Sequence, residues 1–212
     1  MGGPAGISIS QQERRAAAAG LMQVVQQLAE QGESILSVLM GACAQPREYQ
    51  HFPADDARGK GYRYFYHGHA DMPRHWGEHG HFHLFAEPDP GRLTHLVGLS
   101  VDARGMPVRA FTTNRWVTDE QWAPADQVLA RLRQFDTRAS QASPLVSRWL
   151  QCAVILFWPR LRRIIAARDT RLAAMAAGGS RPNLLEDRRM HVLTATRLSL
   201  ADEVLDLDAQ AA

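Results

Sequence analysis

An α+β fold is what this chain of 212 residues predicts, because its apolar residues change period twice. They recur at helical spacing near the N-terminus, at a spacing of two through residues 62–113, and at helical spacing again beyond 124. The middle stretch predicts a four-stranded antiparallel meander, packed between an N-terminal helix and a C-terminal helical region. The length suits one domain, with an N-terminal helical segment (1–46), a histidine-rich sheet plus helix (60–136) and a C-terminal helical region (143–212).

Each element has a local reason. Ser10 and Glu13 have capping-box spacing, and Leu21, Val24, Val25, Leu28, Ile35, Leu36 and Leu39 follow as an apolar stripe. Gly32 interrupts that stripe and Pro46 lies beyond its end. Alternation then predicts strands at 62–69, 79–85, 93–101 and 107–113, joined by segments rich in Gly, Pro and Asp. Thr118 or Pro124 opens a helix whose stripe is Val128, Leu132 and Phe135. Ser143-Pro144 starts another, Pro159 breaks it, and Gly178-Gly179 ends the continuation. Residues 183–186 suggest a cap, 192–198 an edge strand and 199–207 a short helix.

Composition excludes several classes. Hydrophobic residues make up 45% and charged residues 22%, which argues against wholesale disorder, and a net charge of +2 is too small to imply a polyanion partner. Arginines 160, 162, 163, 168 and 171 read as a solvated helix face with an acidic tail to pair with, so no nucleic acid is expected. The most apolar run, 149–158, is about half of the roughly 20 residues needed to cross a bilayer, so no membrane is expected either. No secretion signal or lipid anchor is read at the N-terminus. Cys43 and Cys152 stand 109 residues apart and read as reduced thiols. A cytoplasmic protein is expected.

The strong chemical signal is histidine. Eight of the nine, at 51, 67, 69, 75, 79, 81, 83 and 95, fall within residues 51–95. Strand residues two apart share a face, so His67 and His69 point one way, as do His79, His81 and His83. A hairpin with 70–78 as its loop pairs 69 with 79 and 67 with 81, and a second loop at 86–92 sets His83 opposite His95. Directly opposed side chains have Cβ atoms roughly 4.5 to 5.5 Å apart, close enough to share one ion. The other face, with Tyr62, Tyr64, Tyr66, Phe82, Leu84 and Leu96, should be core. Phe65, Phe85, Val97 and Leu99 are expected among the histidines and should keep that face partly dry. Several imidazoles in such a place cannot all be protonated, and a metal resolves the conflict.

The expected metal ligands are His67, His69, His79, His81, His83 and His95, the last in a supporting position. Glu78 is a candidate ligand or acid/base, and Asp71 could join from the same loop. No cysteine is near, which disfavours thiolate sites. Two histidines with a carboxylate would suit non-haem iron, so iron is favoured, with zinc, copper or manganese as other transition metals to consider. A competing parse takes His75, Glu78 and His79 as the H-x-x-E-H zinc hydrolase pattern, which requires a helix that Pro73, Gly77 and Gly80 oppose. Arg115 is a candidate for holding an anionic substrate and Trp116 for walling a pocket, against the plainer reading that Asn114 caps the strand and Trp116 is core.

Tyr64-Phe65-Tyr66-His67-Gly68-His69, Glu78-His79-Gly80-His81-Phe82-His83-Leu84-Phe85, Thr94-His95-Leu96 and Asn114-Arg115-Trp116-Val117-Thr118 together resemble a bacterial family known only as a domain of unknown function. The resemblance covers roughly residues 47–136 and implies no activity. From the residues alone, the expected function is a metal-dependent oxidoreductase acting on a small molecule or peptide. The alternatives are a metal storage, delivery or sensing protein without turnover, or the zinc hydrolase. A homo-oligomer or protein partner is left open.

Overall fold

A computed structural model of the chain describes residues 7–43, 50–69, 75–138, 143–179 and 183–209. Six strands, β1 (Phe52–Gly59), β2 (Tyr62–His67), β3 (Gly80–Asp89), β4 (Arg92–Val101), β5 (Pro107–Thr113) and β6 (Val192–Arg197), form one antiparallel sheet in chain order. The expected four-stranded meander is therefore only its centre, β2 to β5. One strand is added at each edge. β6 carries the expected edge strand, whereas β1 was invisible to a period-two reading. Its sequence, Phe-Pro-Ala-Asp-Asp-Ala-Arg-Gly, has no apolar alternation, and its pairing with β2 is irregular between Phe52 and Ala57.

The helices are α1 (Gln11–Glu30), α2 (Ile35–Met40), α3 (Arg115–Thr118), α4 (Ala125–Arg133), α5 (Pro144–Leu156), α6 (Trp158–Ala177) and α7 (Leu200–Ala209). The Ser10 side chain accepts the Glu13 N–H while the Glu13 carboxylate accepts the Ser10 N–H, so two donors that the first turn of α1 would orphan are satisfied. Ser34 caps α2 in the same way with Ser37, after a left-handed Gly32 has ended α1. α5 stops at Leu156 and α6 restarts at Trp158, because Pro159 has no N–H to give and fits only a first turn.

The helices cover one face of the sheet. Tyr64, Tyr66, Phe82, Leu84, Val97, Leu99 and Ala110 are buried there with Leu21, Leu28, Leu132, Trp149 and Leu161. The Phe82 and Trp149 rings lie 5.9 Å apart. Val97 and Leu99 were expected on the other face. They pair with Leu84 and Phe82, and cross-strand partners share a face, so they belong to the core. The displacement comes from a bulge at Leu84/Phe85, after which Phe85 pairs with His95.

Polar ties fix the helical layer. Arg14 of α1 is buried, with Nε donating to the Leu156 carbonyl at 3.1 Å and Nη2 to Glu203 of α7 at 2.5 Å. Arg160 also reaches Glu203, so the acidic end of the chain does pair with the arginine run. Arg168 departs from the expected solvated face. It is 2% exposed, lies over the Trp122 ring and donates to the Ala123 carbonyl. Among the described residues, no helix is long and apolar enough to cross a membrane.

Candidate metal centre

The face of the sheet away from the helices carries the histidines, and alternation places them there. His67 of β2 pairs with His81 of β3, as the loop count predicts. His83, two residues on, shares their face. The ring centroids stand 4.6 Å apart for His67 and His81, 5.1 Å for His67 and His83, and 5.0 Å for His81 and His83. One nitrogen from each lies within 4.8 Å of the others, so the three could hold a metal ion. An ion bonded to imidazoles at about 2.0–2.1 Å spaces tetrahedral ligands about 3.4 Å apart. Binding an ion would draw the three nitrogens closer together.

What surrounds each ring decides which nitrogen faces inward. Glu78 Oε1 lies 2.5 Å from His81 Nδ1. An ionised carboxylate only accepts, so Nδ1 carries the hydrogen and Nε2 is the nitrogen that could bond an ion. Burial raises the Glu78 carboxyl, but the His81 contact and the Arg109 charge outweigh it and hold the group below the usual carboxylate range. His83 Nδ1 lies 2.9 Å from His95 Nε2, and His95 Nδ1 lies 3.0 Å from Thr113 Oγ1. His95 thus has both ring nitrogens engaged and turns His83 Nε2 toward the trio. These are the outer hydrogen bonds that metal-ligating histidines use to fix tautomer and orientation. His67 differs, because both its nitrogens are buried and neither has a hydrogen-bond partner.

Electrostatics favour the neutral ring at His67, His83 and His95. Burial, with the neighbouring imidazoles of His81, His69 and His51 adding to it, pulls His67 down to about 2. His95 falls to about 3 through burial and then the Arg168 charge, and burial pulls His83 well below its ordinary value. Neutral imidazole is the metal-binding form.

The remaining expected residues separate. His69 stays close, its ring 4.7 Å from His67 and 5.4 Å from His81. His79 does not join the trio. It precedes β3, leaves its alternation, and holds the Tyr66 hydroxyl at 2.7 Å through Nδ1. Glu78 supports His81 from outside and takes no place among the three converging nitrogens. Asp71 lies outside the described residues. The segment that the competing zinc-hydrolase parse needs as a helix holds a three-residue 3-10 turn, His75–Gly77, with Trp76 in a left-handed conformation. That turn is too short to put His75 and His79 on one helical face. Arg115 pins the loop at 184–187, pairing with Glu186 and Asp119, and meets the site's surroundings at the Glu120 carbonyl. Asn114 caps α3 and not the strand before it, and Trp116 is half-buried outside the core, its Nε1 donating to the carbonyls of Asp187 and Met190, so neither residue meets the plainer reading as stated.

Three contributors were not singled out in the sequence. His51 stacks on Phe65 at 3.9 Å and meets His67 edge-on. Glu120 accepts the His95 backbone N–H, and burial, opposed by that bond and by Arg168, pushes its carboxyl up to about 8. Arg109 lies across the sheet from His81 by way of Ser100, and the alternation that found the histidines would have found it. Phe111 floors the space between, with its ring 5.2 Å from His81. It lies over Gly98, where an added Cβ would come within 2.2 Å of the ring, so this position requires glycine.

A family profile matches residues 15–198, which includes the whole sheet and most of the helical layer. The chain belongs to DUF6969, a domain of unknown function. The DUF6969 match extends well beyond the histidine-rich segment on both sides, so the covering helices belong to the family's unit along with the site. No curated protein and no solved structure matches the chain.

Proposed function

We propose that this DUF6969 protein binds one transition-metal ion on His67, His81 and His83 and uses it in catalysis on a small molecule. The observation that carries the reading is His67, a buried imidazole with two unpartnered nitrogens beside two rings whose outer nitrogens are already engaged. Leaving buried polar atoms unpaired costs about 1–3 kcal/mol each, and a metal removes part of that cost here. Three imidazole nitrogens without a thiolate suit iron, zinc, copper or nickel.

Oxidative chemistry with iron is the version we favour. The walls are Phe65, Phe85 and Phe111, which limit water. Glu78, the carboxylate a hydrolase would use as base, is committed to His81 and faces Arg109. The free thiol of Cys152 supports a reducing compartment such as the cytoplasm. A second reading has its own observation. His69 lies close enough to become a fourth ligand, and a closed four-histidine site would store or sense metal without turnover.

Elemental analysis of untagged protein purified without chelator tests both. One equivalent of iron, lost in His67→Ala/His81→Ala, supports the centre. Nitric oxide or azide perturbing the spectrum of the iron-loaded protein indicates an exchangeable position. An unresponsive spectrum that becomes responsive in His69→Ala favours storage or sensing. Failure of the wild type to take up iron, zinc, copper or manganese overturns the reading.

A further inference from the structure

The histidine face contains one straight row of cross-strand partners. His67 pairs with His81, His81 with Ser100, Ser100 with Arg109, and Arg109 with Arg197. Two of the three converging imidazoles stand at one end of this row and two guanidinium groups at the other. Glu78 lies between them, held by His81 on one oxygen.

We infer that Arg109 is a binding residue for an anionic substrate, a small organic acid whose far carboxylate it clamps while the rest of the molecule reaches the metal. This rests on the metal reading above and adds the substrate class. The Arg109 side chain is 11% exposed, and its nearest carboxylate oxygen, Glu78 Oε2, is 3.6 Å away, beyond hydrogen-bond range. Its Nε is buried without a hydrogen-bond partner. A guanidinium whose buried Nε has an unused donor is costly, and a ligand that accepts from it removes the cost. Nε and the terminal nitrogen beside it form the planar side-on fork that matches a carboxylate bidentately.

The surroundings favour this over a purely structural ion pair. The Arg109 guanidinium lies over the Phe111 ring at 4.9 Å, and the same ring touches His81 and His83. One aromatic floor therefore runs from the cation to the trio, and charge is screened less above it than in water. Arg63, on the same face, is different because Glu87 already engages it. Arg115, the arginine the sequence singled out for an anion, is likewise committed to Glu186. A carboxylate fits better than a phosphate dianion, since a second buried, uncommitted cation beside Arg109 is lacking among the described residues and Arg197 is exposed.

The test uses the full chain loaded with cobalt(II), whose visible absorption reports ligand exchange at the metal. Wild type, Arg109→Gln and Arg109→Lys are titrated with succinate and with its neutral isostere succinamide, and cobalt content is measured alongside. Succinate should bind wild type at least tenfold more tightly than Arg109→Gln, with equal cobalt content, partial rescue by Arg109→Lys and no discrimination among the three with succinamide. Equal succinate affinity in wild type and Arg109→Gln overturns the clamp and leaves the metal centre standing. A wild type that holds cobalt but never responds to succinate overturns the carboxylate class. Loss of cobalt from Arg109→Gln also overturns it, because Arg109 then acts through Glu78 on His81. Failure of the wild type to hold cobalt is the separate failure of the metal reading.

Discussion

Tyr66 and His67 are neighbours on one strand, both buried, and their side chains enter different worlds. Tyr66 points into the helix-covered face, packs against Phe82 at 4.9 Å and sets its hydroxyl on His79. His67 points to the other face, where it meets His51, His69, His81 and His83 and leaves both nitrogens unpaired. The first face gains stability from apolar packing, which outweighs isolated unpaired atoms such as Trp149 Nε1. The second holds an imidazole with both nitrogens buried and unpaired, which the proposed ion would engage. Alternation at period two puts stability and chemistry on opposite sides of the same strands.

The largest expected effect lies on the helix face. Trp149 is fully buried against Phe82, and Trp149→Ala should cost about 3–5 kcal/mol, measured by denaturant unfolding. His67→Leu should behave oppositely. In the metal-free protein it removes two unsatisfied buried atoms and should leave stability unchanged or raise it by about 1 kcal/mol, while abolishing metal uptake. Equal destabilisation by both would erase the contrast between the faces.

The pH profile of the metal-free protein sharpens the same contrast. Burial holds His67 at about 2 and His95 at about 3, so below the ordinary 6.5 the unfolded chain takes up protons that the folded one refuses. Stability therefore falls as pH drops, by about 1.4 kcal/mol per unit for each such group, and His83 adds to it in the same direction. Burial raises Glu120 from 4.5 to about 8, so this group works the other way and stability declines as pH rises between those values. The histidines outweigh it below 6.5 and Glu120 acts alone above, which puts the maximum near pH 6.5. A flat urea-unfolding profile between about pH 5 and 8 would contradict the burial of these groups.

Much of this was legible in the sequence. The spacing of two from Tyr62 to Thr113 located β2 to β5, and the loop count gave the His67–His81 register, because a hairpin leaves few alternatives. The bulge at Leu84/Phe85 was hidden, since an extra residue in one strand has no compositional mark, and it moved Val97 and Leu99 into the core. β1 was hidden for want of alternation. Which histidines serve each other as supports was equally out of reach: Glu78 and His79 are adjacent, yet one turns to His81 and the other to Tyr66. Rotamers and tertiary partners decide that, and pattern does not encode them. Among smaller effects, Glu78→Gln should weaken metal binding 10–100-fold by loosening His81, measured by competition with a chelator. Arg115→Gln should leave metal affinity unchanged.

The central claim is that the converging nitrogens of one sheet face, and not the histidine-rich string as a whole, hold the ion. Zinc titration of wild type, His67→Ala and His79→Ala, read by competition against a chromophoric chelator, compares a member of the trio with a histidine outside it. One tight equivalent in wild type and His79→Ala, with none in His67→Ala, is the expected result. Equal binding by His67→Ala and wild type, or loss confined to His79→Ala, would contradict the account.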